Sequence, residues 1–139
     1  DITREHFKEM YNANLANGLG NLVARIMQLA QTYLTEGMRP EVADFPKEYT
    51  DALEKFEIHR AIDFVFSRVQ ALDQKITQTE PFKLIKIDIV AGQRLIFELT
   101  QELYIIGRLL NPFLPETSKK IKDAVVANKK PETLFPRKE

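Results

Sequence analysis

Apolar side chains recur at steps of three and four residues from Leu15 to Tyr33, and this spacing limits what the segment can form. Its apolar members are Leu15, Leu19, Leu22, Ile26, Leu29 and Tyr33. Side chains spaced in this way lie on one side of an α-helix. Similar patterns follow along the chain, and no segment shows the sustained alternation of a strand. The sequence therefore predicts an all-α fold, a helical bundle of about five helices.

Prolines, glycines and capping residues set the expected helix bounds. The expected helices span about residues 3–11, 14–37, 47–56, 58–77, 89–110 and 115–127. Pro81 disfavours helix at the residue before it, so residues 80–86 are expected to interrupt the helices. We expect one domain over residues 1–139, in which residues 129–139 form an extended tail.

The composition fits a folded domain from a reducing compartment, and we expect it to be cytoplasmic. The chain has 139 residues, of which 44% are hydrophobic, and no cysteine. It has no apolar run long enough to span a membrane, and it does not begin with Met, which suggests a piece of a longer protein. Its 20 basic and 20 acidic residues give a net charge of zero, whereas a general nucleic-acid binder is usually basic. Any RNA contact is therefore expected to be local and chemically specific.

A set of polar residues, here called the polar ridge, follows the same helical spacing on another side of the 14–37 helix. Its members are Asn14, Asn17, Asn21 and Arg25. At about 100° per residue they fall within roughly 80° of each other, centred roughly 120° from the apolar stripe. Asn is unfavourable inside a helix, and Asn and Arg together can read the edges of unstacked bases. The structural alternative is an N-cap at Asn14, a solvated Asn17 and close helix packing at Gly18 and Gly20.

Phe82 is the second candidate, because it follows a proline at a break between helices. An exposed ring there would give a base a stacking surface, commonly for about 1–3 kcal/mol. The alternative is core packing beside Leu84 and Ile85. The two histidines, His6 and His59, have neither metal-ligand nor triad spacing. We therefore expect no catalytic residue and no metal site.

Four segments of the chain resemble motifs of the methionyl-tRNA synthetases, in the same order. Residues 12–25, Asn-Ala-Asn-Leu-Ala-Asn-Gly-Leu-Gly-Asn-Leu-Val-Ala-Arg, resemble the family's Asn-Ala-Asp-Leu-Ala-Asn-x-Leu-Gly-Asn-Leu-x-x-Arg. Residues 80–86 resemble its Ala-Pro-Trp-Lys-Leu-Ala-Lys, residues 109–117 its Leu-Leu-x-Pro-Phe-Met-Pro-Glu-Thr, and residues 134–137 the start of its Leu-Phe-Pro-Arg-Ile. The chain is thus similar to the anticodon-binding domain of these class Ia aminoacyl-tRNA synthetases. The equivalent domain of a Leu, Ile, Val or Cys synthetase, or a helical protein-interaction module, stays an alternative.

The resemblance implies that the chain reads the CAU anticodon of methionine tRNA. Asn17, Asn21 and Arg25 would face the anticodon loop, and Asn21 and Arg25 would hydrogen-bond its first base, a cytosine. Phe82 stands where the family's tryptophan stacks on that base, so folding should bring Phe82 near Asn21 and Arg25. Phenylalanine keeps a stacking face but loses area and the indole donor.

The resemblance also implies which activities lie outside this chain. The family's ATP-site motifs, of the His-Ile-Gly-His and Lys-Met-Ser-Lys-Ser types, do not occur in the sequence. ATP and methionine would therefore bind a catalytic domain elsewhere in the parent enzyme, and this chain would hold no cofactor and be inactive alone. The expected partners are the anticodon loop of methionine tRNA and that catalytic domain, with the protein a monomer.

Overall fold

The structure is a computed structural model that describes residues 18–35 and 44–131. Its helices are α1 (Gly20–Tyr33), α2 (Lys47–Glu54), α3 (Ile58–Thr79), α4 (Pro81–Ile87), α5 (Ile89–Leu110) and α6 (Pro115–Ala127). No strand occurs within those ranges, and the all-α prediction is confirmed. None of these helices is long and apolar enough to cross a lipid bilayer. The expected helix over residues 3–11, Asn17 and most of the predicted tail lie outside the described residues.

Helix α5 lies at the centre, in contact with α1, α3, α4 and α6. Its buried residues are Gly92, Ile96, Leu99, Thr100, Leu103, Ile106, Gly107, Leu109 and Leu110. At about 100° per residue they cover roughly half of the helix circumference, wider than a single amphipathic stripe. The start of α5 is fixed by Asp88, whose carboxylate accepts the backbone N–H of Ala91 at 3.1 Å.

The last four carbonyl groups of a helix have no partner within it. In α5 these carbonyls accept hydrogen bonds from groups that follow the helix or lie on other helices. The Ser118 hydroxyl donates to the carbonyl of Gly107 at 2.6 Å, and the Tyr49 hydroxyl donates to that of Leu109 at 2.7 Å. The other two carbonyls accept backbone N–H groups of the turn that follows. Burial raises the pKa of Tyr49, so its hydroxyl remains a donor. These two side chains attach α2 and α6 to α5.

Helix α1 differs from the prediction at its end and in its buried face. It ends at Tyr33, followed by an extended Leu34, which is earlier than the expected end at residue 37. Its buried residues are Leu22, Val23, Ile26, Met27 and Ala30, whereas Leu29 and Tyr33 are only half-buried. The buried face is therefore centred roughly 50° from the predicted stripe. The buried face differs from the predicted stripe because α1 packs against two helices, α5 and α6. A single apolar stripe in the sequence does not predict a second packing partner.

The predicted interruption over residues 80–86 is instead mostly the short helix α4. Glu80 has a left-handed backbone (φ 46°, ψ 63°), and Pro81 follows in the first turn of α4, where its missing N–H is no loss. The N–H of Glu80 donates to the Ile76 carbonyl at 3.0 Å, and its own carbonyl accepts N–H groups of α4. One strained residue therefore ends α3 and begins α4.

Close contact between α4 and α5 should make Gly92 sensitive to substitution. A Cβ at Gly92 would lie 2.6 Å from the Ile85 Cα, whereas one at Gly107 would lie 3.1 Å from the Cγ2 of Ile121. Gly92→Ala should lower the free energy of unfolding by about 1–3 kcal/mol, because backbone must move. Gly107→Ala is the control, since both alanines gain about 1 kcal/mol in helix propensity but the Cβ at Gly107 meets only side-chain atoms. Urea denaturation measures both, and equal stabilities would contradict this contact.

Candidate functional site

Two of the predicted residues lie in a groove between the N-terminal half of α1 and the middle of α3, here called the α1–α3 groove. The groove has a volume of about 430 Å³, and its lining is Gly18, Asn21, Ala24, Arg25, Val69, Gln70 and Asp73. Asn21 and Arg25 are both exposed. Their mean direction lies roughly 150° around α1 from its buried face. These two members of the polar ridge are therefore almost opposite the core, further from it than the sequence predicts.

Arg25 is held at the groove by an ion pair with α3. Its Nη1 lies 3.2 Å from the Oδ1 of Asp73, and the two side chains are 52% and 55% exposed. An exposed pair of this kind commonly contributes no more than about 1 kcal/mol. The contact therefore orients the guanidinium without binding it tightly, and other N–H donors of Arg25 remain available to a ligand.

Asp73 is the groove residue that the sequence prediction missed. It is 48 residues from Arg25 in the chain, and it lies on the exposed side of an amphipathic helix. Nothing in its neighbourhood distinguishes it from other surface carboxylates. Only the packing of α1 and α3 on α5 reveals the pairing.

Phe82 is on the surface at the first turn of α4. Its side chain is 49% exposed, while Ile85 is buried and Leu84 half-buried, so the core-packing alternative is wrong for Phe82. The Nζ of Lys83 lies 6.0 Å from the ring centroid and 2.7 Å from the Oε2 of Glu80. The ring thus combines an accessible surface with a nearby positive charge.

Phe82 is not among the lining residues of the α1–α3 groove. Helix α3 rises about 1.5 Å per residue, so Glu80 lies roughly 10 Å beyond Asp73 along its axis. Phe82 follows Glu80 by two residues, which add at most about 7 Å to this distance. Phe82 is therefore at the neighbouring end of α3, and its convergence with Asn21 and Arg25 on one base stays a prediction.

Some charged residues in the described ranges form ion pairs, and none of them belongs to a metal site. No group of three or more His, Cys, Asp or Glu side chains in residues 18–35 and 44–131 could hold a metal ion. The ion pair between Lys75 and Glu102, at 3.0 Å, instead joins α3 to α5 beyond the groove.

Comparison with known proteins finds similar chains among methionine–tRNA ligases, although no protein-family model matches. The ligase of Clostridium acetobutylicum is 28% identical over 136 residues, covering 87% of this chain and 21% of the relative. That of Streptomyces coelicolor is 30% identical over 141 residues, covering 88% and 26%. That of Lactococcus lactis is 30% identical over 139 residues, covering 86% and 20%. This chain therefore spans between a fifth and just over a quarter of the length of these curated relatives.

The left-handed backbone at Glu80 should be measurable as strain. Glu80→Gly and Glu80→Ala both remove the contact with Lys83, but only glycine adopts φ 46° without a steric penalty. The left-handed backbone penalises alanine, whereas glycine loses more conformational entropy on folding. The difference between these two costs should leave the glycine variant more stable than the alanine variant by about 1 kcal/mol. Thermal unfolding of the two variants checks this, and an alanine variant of equal or greater stability would exclude strain at this junction.

Proposed function

We propose that this chain, which belongs to the methionyl-tRNA synthetase family, is the domain that reads the CAU anticodon of methionine tRNA. The observation that carries the proposal is the exposed pair Asn21 and Arg25 beside an open groove. These are positions of the polar ridge that the family resemblance assigns to the first anticodon base. The relatives reported above are all methionine–tRNA ligases, which favours methionine over the Leu, Ile, Val and Cys alternatives.

The donors and acceptors of the groove suit the Watson–Crick edge of cytosine. That edge offers two acceptors, O2 and N3, next to the N4 amino donor. The guanidinium of Arg25 supplies only donors, which match the two acceptors. Asn21 supplies a donor and an acceptor, and the Asp73 carboxylate supplies an acceptor of the kind that pairs with cytosine N4. Uracil carries a donor at N3 instead, so a guanidinium directed at that position would reject it.

Phe82 supplies the stacking surface in this proposal, and the family resemblance assigns Asn17 to the anticodon loop as well. An accessible ring is worth about 1–3 kcal/mol per stacked base. Because the chain has no net charge, broad phosphate attraction contributes little, and specific contacts of this type must supply the recognition.

The remaining functions of the parent enzyme are assigned elsewhere in this proposal. ATP and methionine bind a catalytic domain outside this chain, which itself holds no cofactor and does not catalyse aminoacylation alone. Its partners are the methionine tRNA and that catalytic domain, and it acts as a monomer in the cytoplasm.

Removal of the Arg25 guanidinium should abolish discrimination at the first anticodon base. Arg25→Ala should cost about 1–3 kcal/mol with a CAU stem-loop, because a base-edge contact is lost, and much less with loops that carry another first base. The control is Arg68→Ala, an exposed arginine about 140° around α3 from Asp73. Fluorescence anisotropy with four stem-loops that differ at this base measures the effect. Discrimination that survives in Arg25→Ala would contradict the assigned role.

Changes at Phe82 should alter affinity more than base preference. Phe82→Ala should weaken binding to every loop by about 1–3 kcal/mol, because all bases have a stacking face. Phe82→Trp should keep or raise the affinity, since the larger ring restores stacking area. The same titrations test both variants, and an unchanged affinity in Phe82→Ala would show that no base stacks there.

A further inference from the structure

The positive charge of this neutral chain is concentrated at and after helix α6. Residues 119–130 contain five lysines and one aspartate, a net charge of +4, although the whole chain has none. Three of these lysines line an open cavity of about 360 Å³ where α6 ends, here called the lysine cavity. Its lining is Lys120, Asp123, Ala124, Ala127, Lys129, Lys130 and Pro131. The function proposed above does not use this cavity.

The backbone that carries Lys129 and Lys130 is held against the end of α1. Asn128 ends α6 in a left-handed conformation, and its Nδ2 donates to the Leu34 carbonyl at 2.8 Å. The N–H of Lys130 donates to the Oε1 of Gln31 at 2.9 Å. The two lysines therefore extend from a fixed turn between two helices.

The side chains of the three cavity lysines take part in no ion pair within the described part of the chain. Lysines near a helix C-terminus often pair with its last carbonyls, but here the carbonyls of Ala124 and Val125 accept the backbone N–H groups of Lys129 and Asn128. Three lysines lining one open cavity, with a single carboxylate among the lining residues, favour the binding of anionic groups.

The lysine cavity and the α1–α3 groove are connected by one helix. Gln31 contacts the cavity segment, and it lies six residues after Arg25, roughly 9 Å further along α1. Around the helix axis Gln31 lies about 120° from Arg25, and about 80° from Asn21, which is roughly 15 Å away along α1. A stacked nucleic-acid strand advances about 3.4 Å per phosphate, so the roughly 9 Å between Arg25 and Gln31 along α1 corresponds to a few nucleotides.

The geometry points to a phosphate-binding site in the lysine cavity, where Lys120, Lys129 and Lys130 hold the backbone of the RNA strand whose base is read in the α1–α3 groove. This inference rests on the proposed anticodon-reading function and adds a second contact to it. The ligand is a backbone phosphodiester, recognised by charge and not by sequence. The contact would strengthen binding to every loop by the same factor.

The test is the salt dependence of RNA binding by the whole chain. The Lys120→Gln, Lys129→Gln, Lys130→Gln triple variant is compared with a control triple, Lys47→Gln, Lys55→Gln, Arg68→Gln, which removes equal charge from exposed positions in or next to other helices. Each binds a CAU stem-loop, and a loop with another first base, between about 50 and 200 mM salt. Each lysine that contacts a phosphate contributes about 0.7–0.9 to the magnitude of the slope of log K against log salt. The magnitude of this slope should therefore decrease by about 2 in the cavity variant and much less in the control. Circular dichroism confirms that both remain folded.

Each outcome separates the phosphate site from the base-reading proposal. A reduced slope with unchanged preference for cytosine supports the lysine cavity as a backbone contact. Equal slopes in the cavity variant and the control overturn it, while base preference in the wild type still supports the groove. A reduced slope without any base preference in the wild type contradicts the anticodon-reading function and leaves only a nonspecific backbone site. Saturable binding of inorganic phosphate that is lost in the cavity variant, together with equal RNA salt slopes in the cavity variant and the control, would overturn the RNA assignment in favour of a free-anion site.

Discussion

The packing of α5 against α1, α3, α4 and α6 is the interaction on which the rest of the described structure depends. The positions of these four helices follow from where each one meets α5, whereas α2 packs mainly against α3. The close contact at Gly92 sets the position of α4 and therefore of Phe82. The attachment of α1 and α3 to the same helix brings Arg25 within 3.2 Å of Asp73. The candidate binding side chains are thus presented by rigid helices, a suitable basis for specific recognition.

Electrical neutrality sets the second constraint on function. A chain with no net charge cannot rely on long-range attraction to bind RNA, and it must place its donors, rings and cations where they meet particular groups. The α1–α3 groove, the exposed ring of Phe82 and the lysine cavity would do so for a base edge, a base face and a phosphate respectively. The exposed Arg25–Asp73 pair is weak enough to be exchanged for a base, because water screens it.

Local signals in the sequence predicted the helices well, and the contacts between helices much less well. The bounds of α5 were predicted because apolar residues repeat at helical spacing along it and prolines follow its end. The exposure of Asn21 and Arg25 followed from helical phase alone. The partner of Arg25, the left-handed Glu80 and the cavity at Lys129 depend on contacts between segments distant in the chain, for which a single sequence contains no local mark. The same holds for the early end of α1, which Leu34 and its neighbours determine through packing.

The most direct test of anticodon reading is a nuclear magnetic resonance titration of the isotope-labelled chain with a CAU anticodon stem-loop. Shifted backbone amides should cluster in the N-terminal half of α1, around Asp73 in α3, and at Glu80 and Phe82. A loop whose first base is uracil should shift the same amides less at equal concentration. Shifts confined to other surfaces, or identical shifts with the two loops, would contradict the claim that this domain reads the first anticodon base.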